Sequence, residues 1–140
     1  MTGPAQTQGK IPMSKKGKLW KAAPSREDFS AALKYLSLLG SGGNAKLLVE
    51  RLARTRTIEA TAKDLLRASN LPLLPRDESH VEADLKRINK GKPLSPVLLV
   101  RGNLQQEVPL LVADGYHRIC AVCYFDEDAP VACRIVAMGG

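Results

Sequence analysis

The chain is 140 residues long with 44% hydrophobic and 25% charged side chains, the composition of one globular domain rather than of a fibrous or disordered chain. Its longest unbroken apolar runs, such as 96–100 and 108–113, fall far short of the roughly 20 residues that cross a bilayer, so neither a transmembrane helix nor a membrane partner is expected. The net charge of +7 is unevenly spread: residues 1–60 carry 11 basic and 4 acidic side chains, and residues 61–140 carry 10 of each.

Residues 1–24 hold Lys10, Lys15, Lys16, Lys18 and Lys21 without an acid, among Gly, Pro, Gln and Thr. So little apolar surface does not offset the entropy of ordering, and the segment is expected to be a flexible basic arm, either a solubilising tail or a contact to nucleic acid phosphates. No apolar stretch with a small-residue cleavage site reads as a signal peptide, and three cysteines make no disulfide framework. A cytoplasmic protein with free thiols is expected.

A helical hairpin is predicted over 25–56. Ser25 is placed to cap a first helix with Glu27 and Asp28 in its first turn, and Phe29, Leu33, Leu36 and Leu39 share a face. Gly40, Gly42 and Gly43 end it, and Asn44 caps a second helix with Leu47, Leu48 and Leu52 on one side. The hairpin is expected to cover the domain that follows, 57–140.

That domain opens on a short strand from Thr57 and a short helix over 63–68. Leu71 to Arg76 contains two prolines and must be an extended connector. A helix over 77–90 places Val81, Leu85 and Ile88 on one face and Glu82, Asp84, Lys86 and Arg87 on the other, with Gly91 ending it. His80 reads as a cap or surface residue rather than a ligand, and no metal ligand is assigned. The runs 94–101 and 109–113 are predicted strands buried on both faces, joined by a hairpin-length loop over 102–107. Asp114-Gly115 breaks the second strand, Tyr116 to Phe125 is a helix with Ile119, Val122 and Cys123 inward, and Val131 to Val136 is a last strand. The expected fold is α+β, a small mixed sheet with flanking helices, without internal repeats.

The chemistry concentrates at Asp114-Gly115-Tyr116-His117-Arg118, where a strand ends in a glycine turn and a helix begins at once. The first turn of a helix leaves N–H groups unpaired at the positive end of its dipole, and glycine lets a phosphate approach the backbone. Arg118 can add a bidentate fork and His117 a further donor. Read as solvent-facing, Arg118 is expected to be replaceable without loss of folding. Asp114 is unfavourable beside a phosphate unless Mg²⁺ bridges the two or the carboxylate caps the helix. Cys120, Cys123 and Cys133 read as buried thiols rather than as metal ligands or a redox pair, since Cys120-Ala121-Val122-Cys123 falls a turn too late in its helix for thiolate stabilisation.

At these residues the chain resembles the ParB N-terminal domain and sulfiredoxin superfamily. That superfamily's phosphate-binding signature is a strand, a glycine, two variable or basic residues, an arginine and, three residues on, an alanine; Gly115, His117, Arg118 and Ala121 fit it. Leu74-Pro75-Arg76 resembles the Pro-Arg before the family's first helix, and Lys92 to Arg101 its step into the first buried strand. The resemblance spans roughly residues 57–136 and implies a nucleotide-phosphate site for CTP or for ATP or ADP, with Mg²⁺, formed by Asp114, Gly115, Tyr116, His117 and Arg118 with Arg76 as a further contact. NTP hydrolysis or phosphoryl transfer is the activity it implies. Tyr116 stands where sulfiredoxin has its catalytic cysteine, so sulfinic acid reduction is not expected, and no helix-turn-helix segment follows as it does in ParB. No catalytic residue is assigned; Asp114, Glu78 and Glu82 are candidates for a general base by charge alone. Two other readings remain open. One is a DNA-associated accessory protein acting through residues 10–56, including Arg51, Arg54 and Arg56; the other is an adaptor that has lost the nucleotide.

Overall fold

The computed structural model describes residues 13–14 and 17–138. Among them are two two-residue strands, β1 (Met13–Ser14) and β2 (Gly17–Lys18), then α1 (Arg26–Leu39), α2 (Gly42–Arg54), β3 (Ile58–Thr61), α3 (Ala62–Ser69), α4 (Ser79–Asn89), β4 (Val97–Arg101), β5 (Leu111–Asp114), α5 (Tyr116–Phe125) and β6 (Pro130–Ala137). The fold is α+β. No helix among the described residues is long and apolar enough to cross a membrane.

The four-stranded sheet has the order β3-β6-β4-β5, with β4 and β6 parallel and the outer pairs antiparallel. Strand periodicity of two sorts the central β4 between two cores. Val97 and Leu99 pack with α3, α4 and α5, whereas Leu98 and Val100 pack with Ala32 and Leu36 of α1 and Ala45, Leu48 and Leu52 of α2. A strand buried on both faces between two helical layers must be apolar throughout, which is why 97–100 is an unbroken Val-Leu-Leu-Val. The second predicted strand differs: β5 is an edge strand in which only Ala113 is fully buried. The register breaks between Leu99 opposite Val112 and Leu98 opposite Asp114, so β5 carries one extra residue, a bulge, just before Asp114.

Ser25 caps α1 as its sequence predicts, with Oγ accepting from Asp28 N at 3.2 Å and Asp28 Oδ2 accepting from Ser25 N at 2.8 Å. The cap of α2 is Ser41, not Asn44, and Gly42 and Gly43 lie inside its first turn. The glycines therefore do not keep the two helices apart over 40–43; the turn is closed within Gly40 and Ser41. Leu39 and Leu47, expected inward, are exposed, and the smaller Ala32 and Ala45 face the sheet instead. Small residues let the two helices sit close to the sheet, α1 over β4 and β5 and α2 over β6.

The expected arm over 1–24 needs correction at its C-terminal end. Lys10, Lys15 and Lys16 lie outside the described residues, as does the Gly139-Gly140 terminus. Leu19 and Trp20, however, are core residues, 1% and 2% exposed. Backbone bonds of 2.8 Å run from Leu94 N to Leu19 O and from Lys21 N to Leu94 O, and Trp20 Nε1 donates to Pro130 O at 3.0 Å. One tryptophan brings more apolar area than several lysines remove, and its N–H has found an acceptor, so charge counting misjudges this end.

Candidate functional site

The glycine turn is built as a close approach. Gly115 has φ +113° and precedes α5 as its N-cap without a side-chain cap bond. The first intrahelical bond runs from Ile119 N to Gly115 O at 3.0 Å, so the N–H groups of Tyr116, His117 and Arg118 come before the ladder begins. They open beside a cavity of about 250 Å³ lined by Asp28, His80, Ala83, Asp84, Asp114, Gly115, His117 and Arg118. Four of the sequence-predicted residues, Asp114, Gly115, His117 and Arg118, thus meet at one place.

Two do not. Tyr116 does not line the cavity; its hydroxyl donates to Pro72 O. One and two turns further along α5, Cys120 reaches the Leu74 backbone and Tyr124 Oη donates to Leu74 O at 2.6 Å, so a single stripe of α5 straps down the proline connector. Arg76, expected as a further phosphate contact, lies over the Tyr124 ring at 5.7 Å and lines a separate cavity of about 360 Å³ together with Glu82. The i, i+4, i+8 spacing of Tyr116, Cys120 and Tyr124 was available in the sequence as the signal of that strap.

The largest departure concerns Arg118. Its Nη1 donates to Asp28 Oδ1 at 3.0 Å and its Nη2 to Asp114 Oδ2 at 2.7 Å, and the three side chains are only 14%, 12% and 19% exposed. Since α1 and α5 pack on opposite faces of the sheet, Arg118 ties the two layers together around the end of β5. It is neither solvent-facing nor a free fork. Asp114 likewise does not cap α5; its carboxylate is held on Arg118.

Two acids on one cation divide unequally. Burial raises the pKa of Asp28, but the Ser25 N–H, the Arg118 charge and the Arg118 and Ser25 side-chain hydrogen bonds outweigh it, and the carboxyl titrates below the ordinary value. Burial also raises Asp114, Arg118 only partly opposes this, and the neighbouring Asp28 charge adds to it, so Asp114 is pushed up to about 6. Burial raises Asp84 of α4 as well, against weaker attraction from Arg118 and Arg87. An acid whose folded pKa exceeds its unfolded value binds its proton more tightly in the folded state. Its stabilising contribution is complete below 3.8 and is lost as pH rises through 6. Asp28, lowered, stays ionised across that window. Wild-type stability is therefore expected to fall relative to Asp114→Asn by about 2 kcal/mol between pH 4 and pH 7.5. Urea denaturation of both proteins across that range checks it, and parallel curves would refute it.

Three residues at this site were not assigned a role from sequence: Asp28, His80 and Asp84. Asp28 is masked by its capping role, and it lies 90 residues from Arg118. His80 and Asp84 are four apart on α4 and share a face, a local signal that the charge pattern of that helix obscured. The ring of His80 lies against that of His117, with centroids 4.6 Å apart. Beside them Glu78 caps α4, accepting from His80 N at 2.8 Å and Val81 N at 2.9 Å, and the Val81 and His80 bonds hold its carboxyl below the ordinary range. Among the cysteines, Cys120 and Cys133 are buried and Cys123 is half-buried; burial pushes all three thiols up, Cys133 to about 11. Raised thiols are poor nucleophiles and poor ligands, in keeping with the packing role read from sequence.

No protein-family model, no curated protein and no solved structure matches the chain.

Proposed function

We propose that this chain holds a domain of the ParB and sulfiredoxin type that binds the phosphates of a nucleotide at the start of α5, together with a divalent cation. The observation that carries the reading is the N-terminus of α5: a helix begun by a positive-φ glycine with no side-chain cap, its first N–H groups beside a cavity. A cavity of about 250 Å³ suits a phosphate tail, with sugar and base resting outside it. The cation is required by the lining. Three carboxylates, Asp28, Asp84 and Asp114, face one guanidinium already paired twice. An incoming phosphate needs positive charge that Arg118 alone does not supply, and a bound divalent ion provides it.

The test is thermal unfolding with CTP, ATP, ADP and GTP, each with and without Mg²⁺ or Zn²⁺, on the wild type and on Ala83→Glu. Ala83 lines the cavity from the exposed side of α4, so a glutamate there fills the site with negative charge and leaves the Arg118 pairs intact. A nucleotide at 100 times its Kd stabilises the fold by about 2.7 kcal/mol, several degrees in a domain of this size. The expected result is a metal-dependent rise for one base that Ala83→Glu abolishes. A flat panel overturns the reading and moves the function to a second surface, the groove where Arg51, Arg54 and Arg101 line a cavity without an acid. That groove suits nucleic acid phosphates.

A further inference from the structure

Beside the phosphate pocket stands a group of side chains that neither the clamp on Arg118 nor the helix start uses. Glu78, His80 and His117 each present one donor atom, and the three atoms lie within 4.8 Å of one another. Glu78 Oε2 is 3.1 Å from His80 Nδ1 and 3.9 Å from His117 Nε2. A tetrahedral zinc ion with bonds of about 2.0–2.1 Å to nitrogen and oxygen holds its donors about 3.3 Å apart. One edge of the triangle already has this length, and a small turn of the His117 side chain, 42% exposed and lying at the open end of α5, brings in the rest.

We propose that Glu78, His80 and His117 form a binding site for a divalent transition metal of the zinc type, with its open coordination position facing the cavity at the start of α5. Four features of the geometry support it. The donor set is two imidazoles and one carboxylate, the mixture that borderline ions such as Zn²⁺ and Co²⁺ prefer and that Mg²⁺, which demands oxygen, does not. The carboxylate is held in place before any metal arrives: Oε1 accepts the two α4 cap bonds from His80 N and Val81 N, which aims Oε2 at the two rings. Such a hydrogen-bonded ligand loses little freedom on binding. The two histidines come from the first turns of different helices, α4 and α5, and their rings are packed together at 4.6 Å. Finally, three protein ligands leave a fourth position vacant, and His80 and His117 also line the cavity, so the vacancy opens beside the α5 N–H groups.

The metal site stands on these distances alone. Its use as the cation that accompanies a phosphate rests on the reading given under Proposed function, and the two can fail separately.

The experiment is a titration of chelator-treated, tag-free protein with Co²⁺ alone, followed by visible absorption, and with Zn²⁺ alone, followed by calorimetry, in the absence of any nucleotide. One equivalent of metal is expected, with the ligand-field bands of Co²⁺ displaced by Zn²⁺ and unaffected by millimolar Mg²⁺. His80→Gln and His117→Ala are each expected to weaken Zn²⁺ binding at least tenfold. Glu82→Gln, in the neighbouring cavity, is expected to leave it unchanged. The His80 side chain is 70% exposed, so its replacement leaves the fold intact, and far-UV circular dichroism verifies this for every variant. Absence of Co²⁺ bands in the wild type, or wild-type Zn²⁺ affinity in either His80→Gln or His117→Ala, overturns the proposal. Metal binding without any nucleotide shift retains the site and removes only the phosphate reading; a nucleotide shift with Mg²⁺ but no binding of Zn²⁺ or Co²⁺ removes the site and retains the phosphate reading.

Discussion

Arg118→Ala is expected to destabilise the protein by about 3 kcal/mol, a fall in Tm of roughly 10 °C. The guanidinium holds Asp28 and Asp114 at 3.0 and 2.7 Å in surroundings where all three side chains are less than a fifth exposed. Removing it leaves an ionised Asp28 without its cation and drives Asp114 further towards the protonated form. It also severs a side-chain tie between α1 and α5 around the end of β5. Because most of the cost is the stranded negative charge, the triple variant with Asp28→Asn and Asp114→Asn is expected to recover more than half of it. Differential scanning calorimetry of the single and triple variants makes the comparison. A fall under about 2 °C for the single variant is what an exposed arginine gives, and it would remove the clamp.

Gly115→Ala is expected to cost about 3 kcal/mol or more, from two independent sources. At φ +113° a side chain meets backbone strain of about 1–3 kcal/mol. A Cβ would also lie 2.4 Å from Val97 Cγ1 and 2.8 Å from Arg118 Nη2, where Val97 is fully buried in β4 and cannot retreat. Overpacking of this kind adds about 1–3 kcal/mol. Gly43→Ala is the matched control: it lies in the first turn of α2 with open space around it, and alanine there is neutral or stabilising by less than about 1 kcal/mol. Urea midpoints with unchanged slopes separate the two. Equal midpoints for both variants would mean that the turn at Gly115 tolerates a side chain.

Both results concern the same short segment, and they differ in how far sequence alone reaches. The glycine was legible: a strand-like run, Asp-Gly and an immediate helix form a local pattern, and the sharp turn it demands needs only neighbouring residues. The Ser25 capping box is legible for the same reason, being closed within three residues. The apolar run 97–100 was legible as a strand with both faces buried. By contrast β5 has almost the same composition and yet is half-exposed, since position in the sheet decides burial and nothing within 109–113 encodes that β5 is the edge. The cap of α2 is Ser41 rather than Asn44: Ser41 Oγ accepts from Asn44 N at 3.2 Å, and this cap bond helps to offset the roughly 1 kcal/mol that each glycine costs a helix.

The site residues divide along the same line. Sequence by itself determined that this is an α+β chain and that Asp114, Gly115, His117 and Arg118 stand at a strand-to-helix turn whose backbone N–H groups face outward, because helix starts and glycine turns are built from bonds between near neighbours. Tertiary structure decided what surrounds that turn: Asp28 arriving from 90 residues away to share Arg118, His80 and Glu78 brought against His117, and Arg76 carried off to Tyr124. The charge and the pKa of a group depend on distances through space and on exclusion of water. Neither quantity exists until the two helical layers have closed on the sheet.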